Sequence, residues 1–302
     1  MNETEQDAPL IRDYDDFKRE VRFAKMLDKP VRLTWVILAI NVVLFLAAWG
    51  FGEVVLHKGL GLSARVLNVG QLTFVSGMKL TEQIAAGQWW RLISSAFVHM
   101  DWSHILFNGY GLYVLGPIIE KFYGRWRWLV IYFGAAILSA LASYVLNDAM
   151  SGGASGAIYG LVGASLVFGY KYRSELPERV SKALTSGMLP WVVFGIGIGF
   201  LDILPMDNAA HVGGLVSGGA LALMMKSEAV ADTRSKFSDL AMRALAGVLV
   251  GLTILTGVLW ARDLQRCTTS EQQYLECYPQ VAPALGFELI TGTETSPAPS
   301  PD

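Results

Sequence analysis

Long apolar runs alternate with polar connections along this chain, and the run lengths predict helices that cross a bilayer. The first run extends from about Leu33 to Phe51, broken only by Asn41, and approaches the ~20 residues that a hydrocarbon core requires. Further runs cover about Trp102 to Ile119, Leu129 to Leu146, Ser155 to Tyr170, about Met188 to Leu204, about Ala209 to Met225, and Ala244 to Trp260. Connections at alternate ends are basic: Lys121, Arg125 and Arg127; then Lys171, Arg173, Arg179 and Lys182; then Lys226, Arg234 and Lys236. The positive-inside tendency therefore puts the N-terminus in the cytoplasm and the C-terminus outside, with Arg262 and Arg266 as a mild exception. The expected fold class is an all-α polytopic membrane protein.

The remaining segments modify this outline. Residues 10 to 32 are charged and partly amphipathic, with Lys18, Arg19, Arg22, Lys25, Lys29 and Arg32 ahead of the first run, and they read as a membrane-surface segment. They lack a short apolar core with a small-residue cleavage site, so the first run is expected to act as an uncleaved anchor. The connection from 52 to about 96 has no complete span. Its Trp89, Trp90 and Arg91 suit the headgroup layer, and Val66, Leu67, Val69, Leu72, Phe74 and Val75 argue for order at the interface.

Composition agrees with a membrane protein. Of 302 residues, 53% are hydrophobic and 17% charged, too apolar for an ordinary soluble domain pair. The net charge of -2 says little beside the placement of charges, and nothing points to a nucleic-acid partner. The chain has two cysteines, Cys267 and Cys277, both in the segment expected outside, where a disulfide can persist. Spacing alone leaves free thiols open as the alternative. From Thr291 onward the tail is polar and Pro-rich, and it is expected to be disordered.

Polar side chains at the mouths of apolar spans are functional candidates, because burial in lipid is costly. Ser155 lies within Gly152-Gly153-Ala154-Ser155-Gly156-Ala157-Ile158-Tyr159-Gly160, at the start of a predicted helix. A helix N-terminus favours a developing anion, and glycines allow backbone donors to come close. The same residues also fit a capped helix whose Gly152, Gly156 and Gly160 make a close-packing face. His99, His104 and Asn108 precede or enter the second run, with His104 and Asn108 four apart on one helical face. His211 opens the sixth run, preceded by Asp207-Asn208 and followed by Gly214 and Gly218. Singly, each could be a loop contact or interhelical glue. The topology, however, starts the second, fourth and sixth runs from the same side. It therefore gathers a nucleophile, a base and neutral donors, the parts of acyl-transfer chemistry.

With these motifs in order, the chain resembles the rhomboid family of intramembrane serine proteases. The resemblance rests on Trp90-Arg91, on His99, His104 and Asn108, on Gly153-Ala154-Ser155-Gly156 with Tyr159, and on Asp207-Asn208-Ala209-Ala210-His211-Val212-Gly213-Gly214. It implies a six-span core over 33–225 plus one further C-terminal helix. It also implies a Ser155–His211 dyad, an oxyanion site from His104, Asn108 and the Ser155 backbone, and support from Tyr159, Gly153, Gly156, Gly214, His99, Arg91 and Glu120. No cofactor or metal is implied. The implied partners are single-span transmembrane substrates within a lipid bilayer, in the plasma (inner) membrane of a bacterium. The expected organisation is a cytoplasmic segment 1–32, the core 33–225, a cytoplasmic loop 226–243, a seventh transmembrane helix 244–260 and an extracytoplasmic tail 261–302.

Rival chemistries find little support. His-Glu-x-x-His is absent, no aspartate pair lies within the spans, and the seventh run has no lysine for retinal. A transporter would need mid-membrane charges, for which Asp202 is the one candidate. A non-proteolytic rhomboid-like binder or escort stays open as the alternative, against which the presence of both Ser155 and His211 weighs. Neither substrate nor oligomeric state is legible.

Overall fold

The computed structural model describes residues 8–59, 75–201, 206–230 and 236–279. Val66, Leu67, Val69, Leu72, Phe74, Asp202, Arg234 and the tail from Thr291 lie outside the described residues. The described chain is helical. In order come α1 (Ala8–Leu27), α2 (Leu33–Phe51, prolonged by wider turns through Gly59), α3 (Thr81–Ala85) and α4 (Arg91–Ser94). Then follow α5 (Trp102–Tyr123), α6 (Arg125–Leu146), α7 (Ser155–Lys171) and α8 (Glu178–Leu184). The chain continues with α9 (Leu189–Phe200), α10 (Asn208–Met224), α11 (Lys236–Cys267) and α12 (Glu271–Cys277). In lipid a helix satisfies its own backbone polar groups, which is why apolar sequence takes this form.

Among the described residues, four helical stretches are long and apolar enough to cross a membrane by length and composition: Leu33–Val55, Arg125–Leu146, Glu178–Phe200 and Ser238–Cys267. With them the chain is an integral membrane protein. Helices α7 and α10 are shorter, 17 residues each, and α5 carries His104, Asn108 and Glu120. Helices α5 and α10 bury Asn108, Leu112, His211 and Gly214 but expose Phe107, Tyr110, Val216 and Met224, while α7 lies inside the bundle. Helix α6 is its centre, with Trp128, Leu129, Ile131, Tyr132 and Phe133 all buried. By contrast no residue of α9 is buried, and Trp191, Val193, Phe194 and Phe200 point outward, as on a helix facing lipid.

Small residues let α7 and α10 touch backbone to backbone. A Cβ on Gly218 would meet the carbonyl oxygen and Cα of Gly160, and one on Gly214 would meet the carbonyl of Gly156. Close approach of this kind replaces the hydrophobic effect, which does not drive helix association in lipid.

The buried carboxylate of Glu120, near the end of α5, accepts from the backbone N–H groups of Arg32 and Leu33 (both 3.0 Å) and of Thr34 (2.8 Å), and from Thr34 Oγ1 (2.8 Å). It caps α2 from another helix, since Arg32 at the N-cap supplies no side-chain bond of its own. Glu120→Ala strands those donors and is expected to cost about 2–3 kcal/mol. Thermal unfolding in detergent checks this, and a melting temperature equal to wild type would contradict it.

Helix α11 runs past the predicted 244–260 span at both ends, from Lys236 to Cys267. At 32 residues it is roughly 48 Å long against a hydrocarbon core of about 30 Å, so both ends project from the bilayer. The extensions carry Asp239, Arg243, Arg262, Asp263 and Arg266, because hydropathy marks the crossing and not the length of the helix. The connection from α10, expected to fill 226–243, is correspondingly shorter. One extension is tied down at once: Arg127 pairs with Asp239 (2.6 Å) and with Glu228.

Candidate active site

Ser155 is the first residue of α7. The turn before it depends on Gly153, whose φ of 105° lies in the left-handed region that favours glycine. Space makes the same demand, since a Cβ there would collide with the His104 ring and press on Asn108 Nδ2. The turn is fixed from the other side by Gly153 N–H donating to Ser95 O at 2.7 Å and Ala154 N–H donating to His99 Nε2 at 3.5 Å. Burial, with His104 beside it, pushes the His99 pKa down to about 3, so the ring stays neutral and can accept that bond.

His211, in the first turn of α10, is buried, and its Nε2 lies 3.0 Å from Ser155 Oγ. The Tyr159 ring stacks on the imidazole, with centroids 4.4 Å apart and planes 17° from parallel. No hydrogen-bond partner among the described residues reaches His211 Nδ1. Asp207, one turn earlier, does not bond to it. Its carboxylate caps α10 by accepting from Ala210 N–H (3.0 Å), and it also accepts from Asn147 Nδ2 (3.1 Å) and from Ser143 Oγ, which ties α10 to α6.

His104 Nδ1 accepts from Met100 N–H at 3.4 Å, which places the proton of the neutral ring on Nε2, the nitrogen beside Gly153. Asn108 Nδ2 donates to His104 O at 3.0 Å and stands on the same side of Gly153. Two neutral donors thus flank the serine turn, and a small recess lined by Ser95, Ser139, Ser151, Gly153 and Ser155 adjoins it.

Arg91 and Glu120 lie apart from this cluster. Arg91 does not face the headgroups as expected; it is fully buried, with Nη1 donating to Val75 O (3.0 Å) and Met78 O (2.9 Å) and Nε to Gln88 Oε1 (2.6 Å). It folds the 75–91 segment around itself. Gly156 and Gly214 are the backbone contact between α7 and α10 described above. Lys79, which the sequence reading passed over, exchanges backbone bonds with Ser151 (2.7 and 3.3 Å), and its Nζ donates to Asn147 O and Ala149 O, both 2.9 Å. Its only signal in the sequence is a lysine set between Met78 and Leu80.

Asp207 also supplies a pH test. Burial raises its pKa, but hydrogen bonds from Ser143, Ala210, Asn147 and Ser151 outweigh burial and hold the carboxyl below its ordinary 3.8. A carboxyl depressed in the folded state stabilises above its unfolded pKa, and that contribution is lost as pH falls through the folded pKa. Asp207→Asn is expected to cost about 1 kcal/mol near neutral pH, with the gap to wild type closing below about pH 4. Denaturation series across pH read this directly; a gap unchanged down to about pH 3 would contradict it.

A membrane-embedded helical bundle that holds a serine and a histidine in hydrogen-bond contact defines the class of protein. Residues 86–228 match the Rhomboid domain, and the chain belongs to the rhomboid family. Rhomboid protease GluP of Bacillus subtilis (strain 168) is 34% identical over 142 residues, which make up 47% of this chain and 27% of GluP. YdcA, a rhomboid relative from the same strain, is 32% identical over 143 residues, 47% of this chain and 69% of YdcA. Rhomboid protease GlpG of Serratia proteamaculans (strain 568) is 36% identical over 137 residues, covering 45% of this chain and 48% of GlpG. The matched region thus spans about a quarter of GluP and half of GlpG.

Proposed function

We propose that this chain is an intramembrane serine endopeptidase that cuts single-span membrane proteins near the outer boundary of the bilayer. The observation that carries this reading is the 3.0 Å contact between Ser155 Oγ and His211 Nε2, with the imidazole stacked on Tyr159. In the proposed reaction Ser155 Oγ attacks the scissile carbonyl carbon while His211 Nε2 takes its proton. The resulting oxyanion is met by His104 Nε2–H, Asn108 Nδ2 and the Ser155 N–H, aided by the α7 dipole. Collapse breaks the C–N bond, His211 returns the proton to the leaving amine, and water attacks the acyl-enzyme by the same route. Stacking on Tyr159 orients the ring without a buried carboxylate, whose charge would be costly in a low-dielectric site.

In this reading the chain has a six-span core plus one further helix, in a bacterial plasma membrane, with its N-terminus in the cytoplasm. Ser155 begins α7 at shallow depth on the outer side. A substrate helix must therefore unwind locally to present its bond, and it can do so most easily near the interface, where water satisfies freed backbone groups. Helix-weakening residues in the substrate span should assist cutting, and small side chains should be preferred beside the bond. The test is cleavage by the purified chain in liposomes, with the new termini mapped by mass spectrometry. Cuts near the outer boundary that slow when those residues become Leu support the proposal. Faster cutting of the Leu substrate would overturn the unwinding step, and binding without cutting would favour the escort reading.

A further inference from the structure

The outer loop contains a charge that the dyad chemistry leaves unexplained. Arg91 is fully buried, and its three hydrogen bonds all go to neutral acceptors. A buried cation needs a counter-charge. Its ion-pair partner is Asp263, whose Oδ2 lies 3.7 Å from Arg91 Nη2 and which stands on the projecting end of α11. Tyr278 Oη donates to the same Oδ2 at 2.8 Å, and the Tyr278 ring lies 5.8 Å from the guanidinium.

Tyr278 reaches Arg91 because the chain doubles back. Cys267 ends α11, Cys277 ends α12, and the two are joined by a disulfide with Cα atoms 5.9 Å apart. The closed segment puts Cys267, Tyr274 and Tyr278 in one apolar cluster with Val75, Met78, Leu80 and Val98 of the outer loop. Gln83 Nε2 donates to Cys277 O at 3.2 Å, and Trp260 Nε1 to Ser76 Oγ at 3.0 Å. The other side of that loop holds the serine turn, through the Lys79–Ser151 backbone pair and the bond from Gly153 N–H to Ser95 O.

We propose that segment 263–278, closed by the Cys267–Cys277 disulfide, is a clasp in which Asp263 and Tyr278 are positioning residues for the serine turn. They neutralise and cover Arg91, and the 75–99 loop passes that order to Ser151–Gly153, against which His104 and Asn108, the proposed oxyanion donors, stand. This inference rests on the protease reading above. It also makes the site sensitive to redox state: a dithiol such as dithiothreitol would supply two electrons and two protons, break the S–S bond to two thiols and itself close to a cyclic disulfide.

The test uses the full chain in liposomes as wild type before and after dithiothreitol, Cys267→Ser with Cys277→Ser, Asp263→Ala, Asp263→Glu and Tyr278→Phe. Turnover of a single-span substrate is read together with hydrogen–deuterium exchange. Opening the disulfide or Asp263→Ala should lower kcat about tenfold with KM within about twofold, and Asp263→Glu should recover most of the loss. Exchange should rise together in 75–99 and 149–155 while α6 stays protected; Tyr278→Phe should show the same pattern more weakly. Unchanged kcat, or exchange rising in 268–278 without 149–155, would overturn the clasp. The exchange result decides the coupling even if the wild type cuts nothing, so failure of the clasp and failure of the protease reading are distinguishable.

Discussion

Replacing Ser155 by alanine is expected to lower turnover of a single-span substrate by at least about 10³-fold while leaving the fold in place. The reason is an asymmetry between chemistry and packing. The substitution removes the one oxygen that lies 3.0 Å from His211 Nε2, but it leaves the Gly153 turn, the α7–α10 contact and the Tyr159 stack as they were. Losing one hydrogen bond at the mouth of a helix should change stability by about 1 kcal/mol at most. Initial rates in liposomes, paired with thermal unfolding, separate the two effects. A variant that cuts at the wild-type rate would remove Ser155 from the reaction, and one that fails to fold would show that its hydroxyl is structural.

Gly218→Val is expected to act through the opposite link, from packing to chemistry. A Cβ at this position would overlap the backbone of Gly160, and no side-chain rotamer relieves a clash with backbone atoms. The helices must move apart, at an expected cost of about 3 kcal/mol or more. Because α7 carries Ser155 and α10 carries His211, the separation also stretches their hydrogen bond. A displacement near 1 Å can by itself cost about 10²-fold in rate. The control is Gly247→Val on α11, where a Cβ meets nothing within 4 Å, and there the change should stay within about 0.5 kcal/mol. Equal melting temperatures for Gly218→Val and wild type would show that the α7–α10 contact is not tight.

What the sequence made legible divides along physical lines. The apolar runs located helices because hydropathy and bilayer thickness constrain each other, yet they could not give the length of α11, whose ends leave the bilayer. The meeting of Ser155 and His211 was readable from topology alone, since both open helices that start from the same face. Gly156 and Gly160 do sit at the α7–α10 contact, but Gly152 lies ahead of the helix, in the turn. The left-handed conformation of Gly153 and the lodging of that turn between His104 and Ser95 have no local signature. Long-range partners were the least visible. Arg91 read as a headgroup anchor because nothing near it in sequence announces Asp263 or Tyr278, and Lys79 gave no sign that it would pair with Ser151.

Activation of Ser155 as a nucleophile by His211 can be read from its reaction with a fluorophosphonate. Such a reagent forms a stable bond to a serine oxygen when a neighbouring base takes its proton. The folded chain in liposomes is treated with the reagent, digested, and the adduct located by mass spectrometry. An adduct is expected on Ser155, none there in Ser155→Ala, and strongly reduced labelling in His211→Asn. Absence of any adduct on Ser155 in the wild type, or labelling in His211→Asn as fast as in the wild type, would contradict this activation.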